Sequence, residues 1–391
     1  MKLKKISSFI GLLLLLNFPE VLSQPGKADV YLLTCGPGTD TYSIYGHSAL
    51  RVVSTEDQVD IVYNWGGFDF NTPNFAWKFA KGRLDYLLDD VTYKGFLKGY
   101  FFEERYVHSQ KINLDEEETA RLIYLINENL KPENRKYKYD FFYDDCSTRI
   151  RDLLEKAIGK KLLYPPVTDE YMPTFREMVT KYQSPYPWLQ FGIDLIMGSP
   201  GEEFANFRHR MFLPLDMQEG LSQMVIRRNG SMIPLLQNTE VVLDFEPLVI
   251  KTNILTTPAT LFTLLLIVVV ILSLLKNKIV SNLMDIILFS MFAILAGLMI
   301  FFNFFTDHLQ MKWNLNILWL NPVIILCLIS LLFRSTGTIW FRIVFYISAV
   351  FPIIHFALPQ HFNLAFFPLI LILLVRSSIR SGFEWNPLSE E

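Results

Sequence analysis

The sequence predicts an α+β exported domain followed by an all-α membrane bundle of five spans, and three observations predict it. Lys2, Lys4 and Lys5 precede a short apolar core that ends at Val21-Leu22-Ser23, the pattern of a secretory signal. Residues 28–250 mix strand-like and helix-like segments with ordinary polarity, whereas residues 254–380 carry few charges and long apolar runs. The basic residues between those runs fall unevenly on alternate linkers. The expected organisation is a signal peptide over 1–23, an exported catalytic domain over 24–250 and a membrane domain over 251–391.

In the exported part, "DVYLLTCGPG" reads as a strand ending in a Gly/Pro turn, and "SIYGHSALRVV" and "DIVYNWGGFDF" as two strands joined by the polar "STEDQ". A strongly aromatic stretch, "NFAWKFAKGRLDYLL", follows. "LDEEETARLIYLINENLK" is a helix, with Leu122, Leu125 and Ile126 on one face and acidic residues in the first turn, where they suit the dipole. "PENRKYKYDFFYDD" reads as a loop. A second helix starts at Cys146, with Ile150, Leu153, Leu154 and Ile158 on one stripe and Gly159 as its stop. Residues 160–250 are richer in Pro and Gly and hold short elements.

The membrane domain has candidate spans near 254–275, 283–304, 315–333, 339–357 and 361–379, each approaching the roughly 20 residues a bilayer needs. Lys276, Lys278, Arg334, Arg342, Arg376 and Arg380 lie on one set of linkers, Lys312 and Lys251 on the other. Six against two puts the C-terminus inside and the 28–250 domain outside the cytoplasmic membrane, in agreement with the export signal. An uncleaved N-terminal anchor would leave that sidedness unchanged.

A formal charge of −3 argues neither for nucleic acid nor for an acidic ligand, and the chain shows no nucleic-acid signature, no metal-ligand spacing and no phosphate-cradling glycine loop, so no nucleic-acid partner is expected. No cofactor or metal is expected. The chemistry rests on Cys146. A thiol attacks as thiolate, and a helix N-terminus and a neighbouring imidazole are the usual means of lowering its pKa. Cys146 has the first by position, although Asp144 and Asp145 precede it and are read as caps if they point away from the sulfur. The exported histidines are His47, His108 and His209, and His47 follows Gly46 at a strand entry. A strand histidine facing a cysteine at a helix start is the papain-like arrangement, and the order His then Cys fits its circularly permuted form. Asn64 on the next strand is the candidate to orient the ring, with Asp60 and Asp69 as rivals. A disulfide between Cys35 and Cys146 is the competing use of the thiol, allowed by an oxidising compartment.

"TCGPGTDTYSIYGHSALRV", "YNWGGFDF", "KPENRKYKYDFFYDDCSTRIRD" and the five-span tail together resemble the Lnb-type lipoprotein N-acyltransferases over roughly residues 28–380. Lecithin:retinol acyltransferase is a more distant likeness. The resemblance implies a circularly permuted papain-like cysteine-enzyme domain with Cys146 as nucleophile and His47 as its base. Asn stands before the cysteine in that family's pattern, and here Asp145 does. The implied reaction takes an acyl chain from a membrane phospholipid onto Cys146 and passes it to the α-amine of a diacylglyceryl-cysteine apolipoprotein. Arg149, Tyr45 and Asp145 are the candidate substrate contacts. Two other readings compete: a membrane-anchored papain-like amidase or endopeptidase acting on cell-wall peptide, and a non-catalytic sensor or binding module holding a Cys35–Cys146 disulfide. His308 and His361 on outer loops are expected to pack at an interface, and Asn314, Asn316 and Asn321 to bond between helices.

Overall fold

The alternation in "DVYLLTC" and "HSALRVVS" builds β1 (Asp29–Cys35) and β2 (His47–Ser54), paired antiparallel with Cys35 opposite His47 and Leu32 opposite Leu50. In this computed structural model, residues 27–166, 171–247, 249–333 and 337–383 are described; the expected signal peptide lies outside them. Strand β3 (Val59–Gly67) returns alongside β2 and sets Asn64 opposite Ala49. Strands β4 (Asp85–Thr92), β5 (Val107–Lys111) and β6 (Lys136–Lys138) extend the sheet. A small sheet of β7 (Leu162–Leu163), β8 (Val225–Arg228) and β9 (Ser231–Pro234) stands apart, and β10 (Glu240–Leu243) returns to the large one. The large sheet has the order β10-β5-β1-β2-β3-β4-β6.

Strand β6 corrects the loop expected before Cys146. Tyr137 points inward between exposed Lys136 and Lys138, and the three residues pair with β4 at the sheet edge. Charged edges of this kind discourage further pairing.

Helices α1 (Phe75–Ala80) and α2 (Tyr93–Phe102) precede the two expected helices, α3 (Glu116–Leu130) and α4 (Cys146–Ile158). On α4, fully buried Ile150, Leu154 and Ala157 meet Leu32, Leu50, Trp65 and Leu88 of the sheet. Full burial of one such aliphatic side chain is worth roughly 1.5–3 kcal/mol. Phe96 of α2 packs on the opposite face with Leu33, Cys35, Ala49 and Val62. The sheet thus lies between helices, with the start of α4 beside the start of β2.

Four further helices follow: α5 (Phe175–Gln183), α6 (Pro187–Ile196), α7 (Phe207–Arg210) and α8 (Pro214–Gln223). Helix α6 belongs by sequence to the exported part, but Phe191 and Leu195 pack into the core of the membrane bundle. The domain boundary expected at 250 is therefore bridged by packing.

The bundle comprises α9 (Pro258–Leu274), α10 (Lys278–Phe304), α11 (Val323–Leu332), α12 (Thr338–Ile354) and α13 (Phe366–Arg380). Among the described residues two helices are long and apolar enough to cross a bilayer alone, Lys278–Phe304 and Thr338–Ala357. A third crossing arises if the pair Leu309–Leu318 and Val323–Leu332, bent by 58°, counts as one span. The bend falls at Pro322, which has no N–H with which to continue the preceding turn. The span expected over 361–379 begins only at Phe366, because the residues before it serve the domain junction.

Asp285, on α10, is fully buried and accepts from Arg376 Nε at 2.6 Å and Arg380 Nε at 2.5 Å, both on α13. Arg376 also donates to the hydroxyls of Ser273 and Ser281 at 2.6 Å. This cluster ties three helices together at one end of the bundle.

Candidate active site

Gly46 turns the chain into β2 with φ of +82°, and a Cβ there would stand 2.7 Å from the Cys35 carbonyl oxygen. That close approach sets His47 at the strand entry. Its Nε2 lies 3.2 Å from Asn64 Oδ1 on β3. Carrying the proton on Nε2 makes Asn64 the acceptor and leaves Nδ1 with the free lone pair. Asp60 instead clasps Arg51 at 2.7 and 3.0 Å, and Asp69 Oδ1 accepts from the Asn71 backbone at 2.8 Å. Asn64 is thus the partner of His47.

Cys146 is the first residue of α4, so its sulfur sits among N–H groups that no helical carbonyl reaches. Burial pushes the thiol pKa up, while the Ser48 backbone N–H, the Ser147 hydroxyl and the N–H groups of Ser147 and Cys146 push it down; burial wins. Ser48 immediately follows His47, so the thiol abuts the histidine's own peptide. The Ser147 hydroxyl, 3.8 Å from Sγ, donates to Ser48 Oγ at 3.4 Å. Burial pushes His47 down to about 4, with the Asn64 hydrogen bond opposing it. By surface area the residue as a whole is half-buried. Among the described residues no hydrogen bond joins imidazole and thiol, and the resting pair is neutral at pH 7.

Asp145 caps α4, the use the sequence offered for it beside that of a substrate contact. It is buried; its Oδ1 accepts from Thr148 N at 2.8 Å and Thr148 Oγ1 at 2.9 Å, and Thr148 Oγ1 accepts from Asp145 N at 2.7 Å. Burial drives its carboxyl well above the usual range, with the neighbouring thiol adding to the effect. Such a carboxyl, held toward its neutral form, caps much as an asparagine would.

Arg149 is bound rather than free. It grips Asp144 at 2.5 and 2.8 Å and stacks over the Tyr137 ring at 3.5 Å. Tyr45 accepts from Gln183 Nε2 at 2.6 Å and packs 5.0 Å from the Phe141 ring. Cys35 and Cys146 are separate free thiols, so the disulfide reading is overturned. Cys35 lies on the α2 face with Phe96, and Cys146 in the core that α4 shares with the other face.

Sequence reasoning missed Tyr137, Ser48 and Ser147. The Tyr137 hydroxyl is buried and, among the described residues, has no hydrogen-bond partner. Its pKa is raised mainly by burial and next by the nearby Cys146. The alternation in "KYKYD" was the available signal, hidden by reading the stretch as a loop.

A cleft of about 440 Å³ opens just ahead of α4, between Lys138, Tyr143 and Asp144 of the exported domain and the loop Asp307–Gln310 of the bundle. His308 and His361 lie on the exported domain, as expected for interfacial packing: His308 Nε2 is 2.8 Å from Phe79 O, and His361 N donates to Glu202 at 3.0 Å. Asn314 and Asn316 bond to another helix, as expected, but that helix is α6 of the exported part and not a span. They donate at 2.8 and 3.1 Å to the Leu195 carbonyl, an orphan of the α6 C-terminus.

A sheet-based domain with a cysteine at a helix start, joined to an apolar helical bundle, defines a membrane protein with a thiol-centred candidate site. Residues 18–179 match the model of the Lnb N-terminal periplasmic domain and residues 250–384 that of the Lnb transmembrane domain. The chain belongs to the Lnb family, and its N-terminal domain is periplasmic. No curated protein and no solved structure matches it.

Proposed function

We propose that this chain is a lipoprotein N-acyltransferase of the cytoplasmic membrane, a finer reading of the family's role in lipoprotein processing. His47 takes the thiol proton as Cys146 attacks an ester carbonyl of a membrane phospholipid. The tetrahedral intermediate collapses, the ester C–O bond breaks, and the proton passes to the departing lysophospholipid hydroxyl. An acyl thioester remains on Cys146. The neutral α-amine of a diacylglyceryl-cysteine apolipoprotein then attacks it. An amide forms, the C–S bond breaks, and the amine proton returns to sulfur through His47. The developing oxyanion finds donors in the Ser48 and Ser147 N–H groups and the Tyr137 hydroxyl.

The observation that carries the reading is the thiol at the α4 start against the Ser48 N–H, one residue from an Asn64-held His47. The attached bundle supports it too. Drawing an acyl chain into water costs about 0.8 kcal/mol per CH₂, and a catalyst held at the bilayer surface avoids that.

Mass spectrometry of the protein purified from membranes tests this. A long-chain adduct on Cys146, removed by neutral hydroxylamine and absent from Cys146→Ser, is expected. Absence of the adduct, together with no conversion of diacylated to triacylated lipoprotein in cells, overturns the proposal.

A further inference from the structure

The segment joining β3 to α1 and β4 touches the cleft only at Gly82, yet it exposes a run of aromatic side chains. Phe70 is 71% exposed, Trp77 57% and Phe79 51%, and α1 buries none of its residues. Ring contacts run from Phe70 to Phe75 at 5.2 Å and from Phe75 to Phe79 at 6.3 Å, so the patch is continuous. Contiguous apolar surface of this kind marks an interaction site.

The fold says what covers it. Trp77 packs 5.7 Å from Phe301 near the end of α10, the longest apolar helix, where Phe304 and Phe305 are themselves 67% and 60% exposed. The patch is pinned at that height. Asp307 N donates to Lys81 O at 2.8 Å, and Arg83 Nε donates to Asp307 at 2.6 Å. It therefore continues the lipid-facing surface of α10 where that helix leaves the hydrocarbon. Tryptophan and flanking lysine are the residues that favour this depth. Lys78 follows Trp77, and Lys81 Nζ lies 4.8 Å from the Trp77 ring, in reach of lipid phosphates.

We propose that α1 and the turn before it form a docking surface for the outer leaflet, with the rings of Phe70, Trp77 and Phe79 among the lipids and Lys78 and Lys81 at their phosphates. Gly82, just past α1, lines the cleft that also touches Tyr143 and Asp144. If the acyl-transfer reading holds, the patch is the ramp by which a donor lipid enters; that extension alone rests on it.

The docking itself is tested in a Cys146→Ser background, so its outcome is independent of acyl transfer. The full chain carries Trp77→Cys or Phe79→Cys labelled with an environment-sensitive dye, with Tyr124→Cys on α3 as control; native Cys35 and Cys327 are buried. Proteins are placed in nanodiscs of phosphatidylethanolamine and phosphatidylglycerol, with or without brominated chains. Labels at 77 and 79, at the depth aromatic belts favour, should be quenched by brominated lipid and shielded from iodide, while the label at 124 responds only to aqueous iodide. Iodide quenching at 77 and 79 equal to that at 124 overturns the proposal. So does protection from both quenchers, which would mean that protein covers the patch.

Discussion

At the scale of single residues, the state of Cys146 follows from two opposing influences. Helix-start N–H groups favour the thiolate, and burial disfavours it more. His47 is pushed down to about 4, so at pH 7 the imidazole is neutral and does not hold a thiolate as an ion pair. The expected result is that iodoacetamide alkylation of Cys146 rises by about tenfold per pH unit across neutrality and shows no plateau below the ordinary thiol range. The measurement is the rate against pH, with Cys146→Ser as background. A rate independent of pH between 5 and 8 would show a preformed thiolate–imidazolium pair instead. The cysteine, the histidine and its asparagine were legible in the sequence because each sits at a definable place, a helix start, a strand entry and the next strand. Tyr137 was not, because its burial depends on an edge strand formed with residues about fifty positions away in sequence.

At the scale of elements, α4 shows how a buried carboxyl is absorbed into a helix cap. Asp145 takes the place at which the resemblance implies asparagine, but its carboxyl faces Thr148 and is driven toward the neutral form. Asp145→Asn should leave activity and melting temperature nearly unchanged. Asp145→Ala, which removes the cap, should cost about 1 kcal/mol of stability, read by thermal melting in detergent. Equal losses for both would mean that the charge itself matters. The helices and the hairpin announced themselves through periodicity and turn chemistry. The broken span at Pro322 and the late start of α13 did not, since hydropathy counts apolar residues without asking where a chain bends to serve a neighbour.

At the scale of the whole molecule, the exported domain and the bundle are joined by buried polar contacts as well as apolar ones. Arg176 pairs with Asp194 at 2.9 Å with both side chains buried, and Asn363 donates to the same carboxylate at 2.8 Å. Removing one partner of such a pair costs roughly 3–5 kcal/mol. Nearby, Gly198 N donates to Gln310 O at 2.8 Å, and a Cβ on Gly198 would stand 1.9 Å from the Lys312 carbonyl oxygen. Gly198→Ala should therefore separate the two parts and lower the melting temperature. Gly192→Ala on α6, with open space at its Cβ, should be neutral or slightly stabilising. Similar melting curves for the two variants would show that the junction yields. The junction was invisible in the sequence because its residues come from 176 to 363 and carry no local pattern.

Gly198 has one more consequence. A seam that admits no methyl group is closely packed at that point, which couples the position of the Cys146 domain to that of the bundle. In every diacyl lipid the ester groups lie at the same depth, however long the tails below them. Under the proposed acyl transfer, a head so coupled would choose its bond as a depth gauge does, by level and not by chain length.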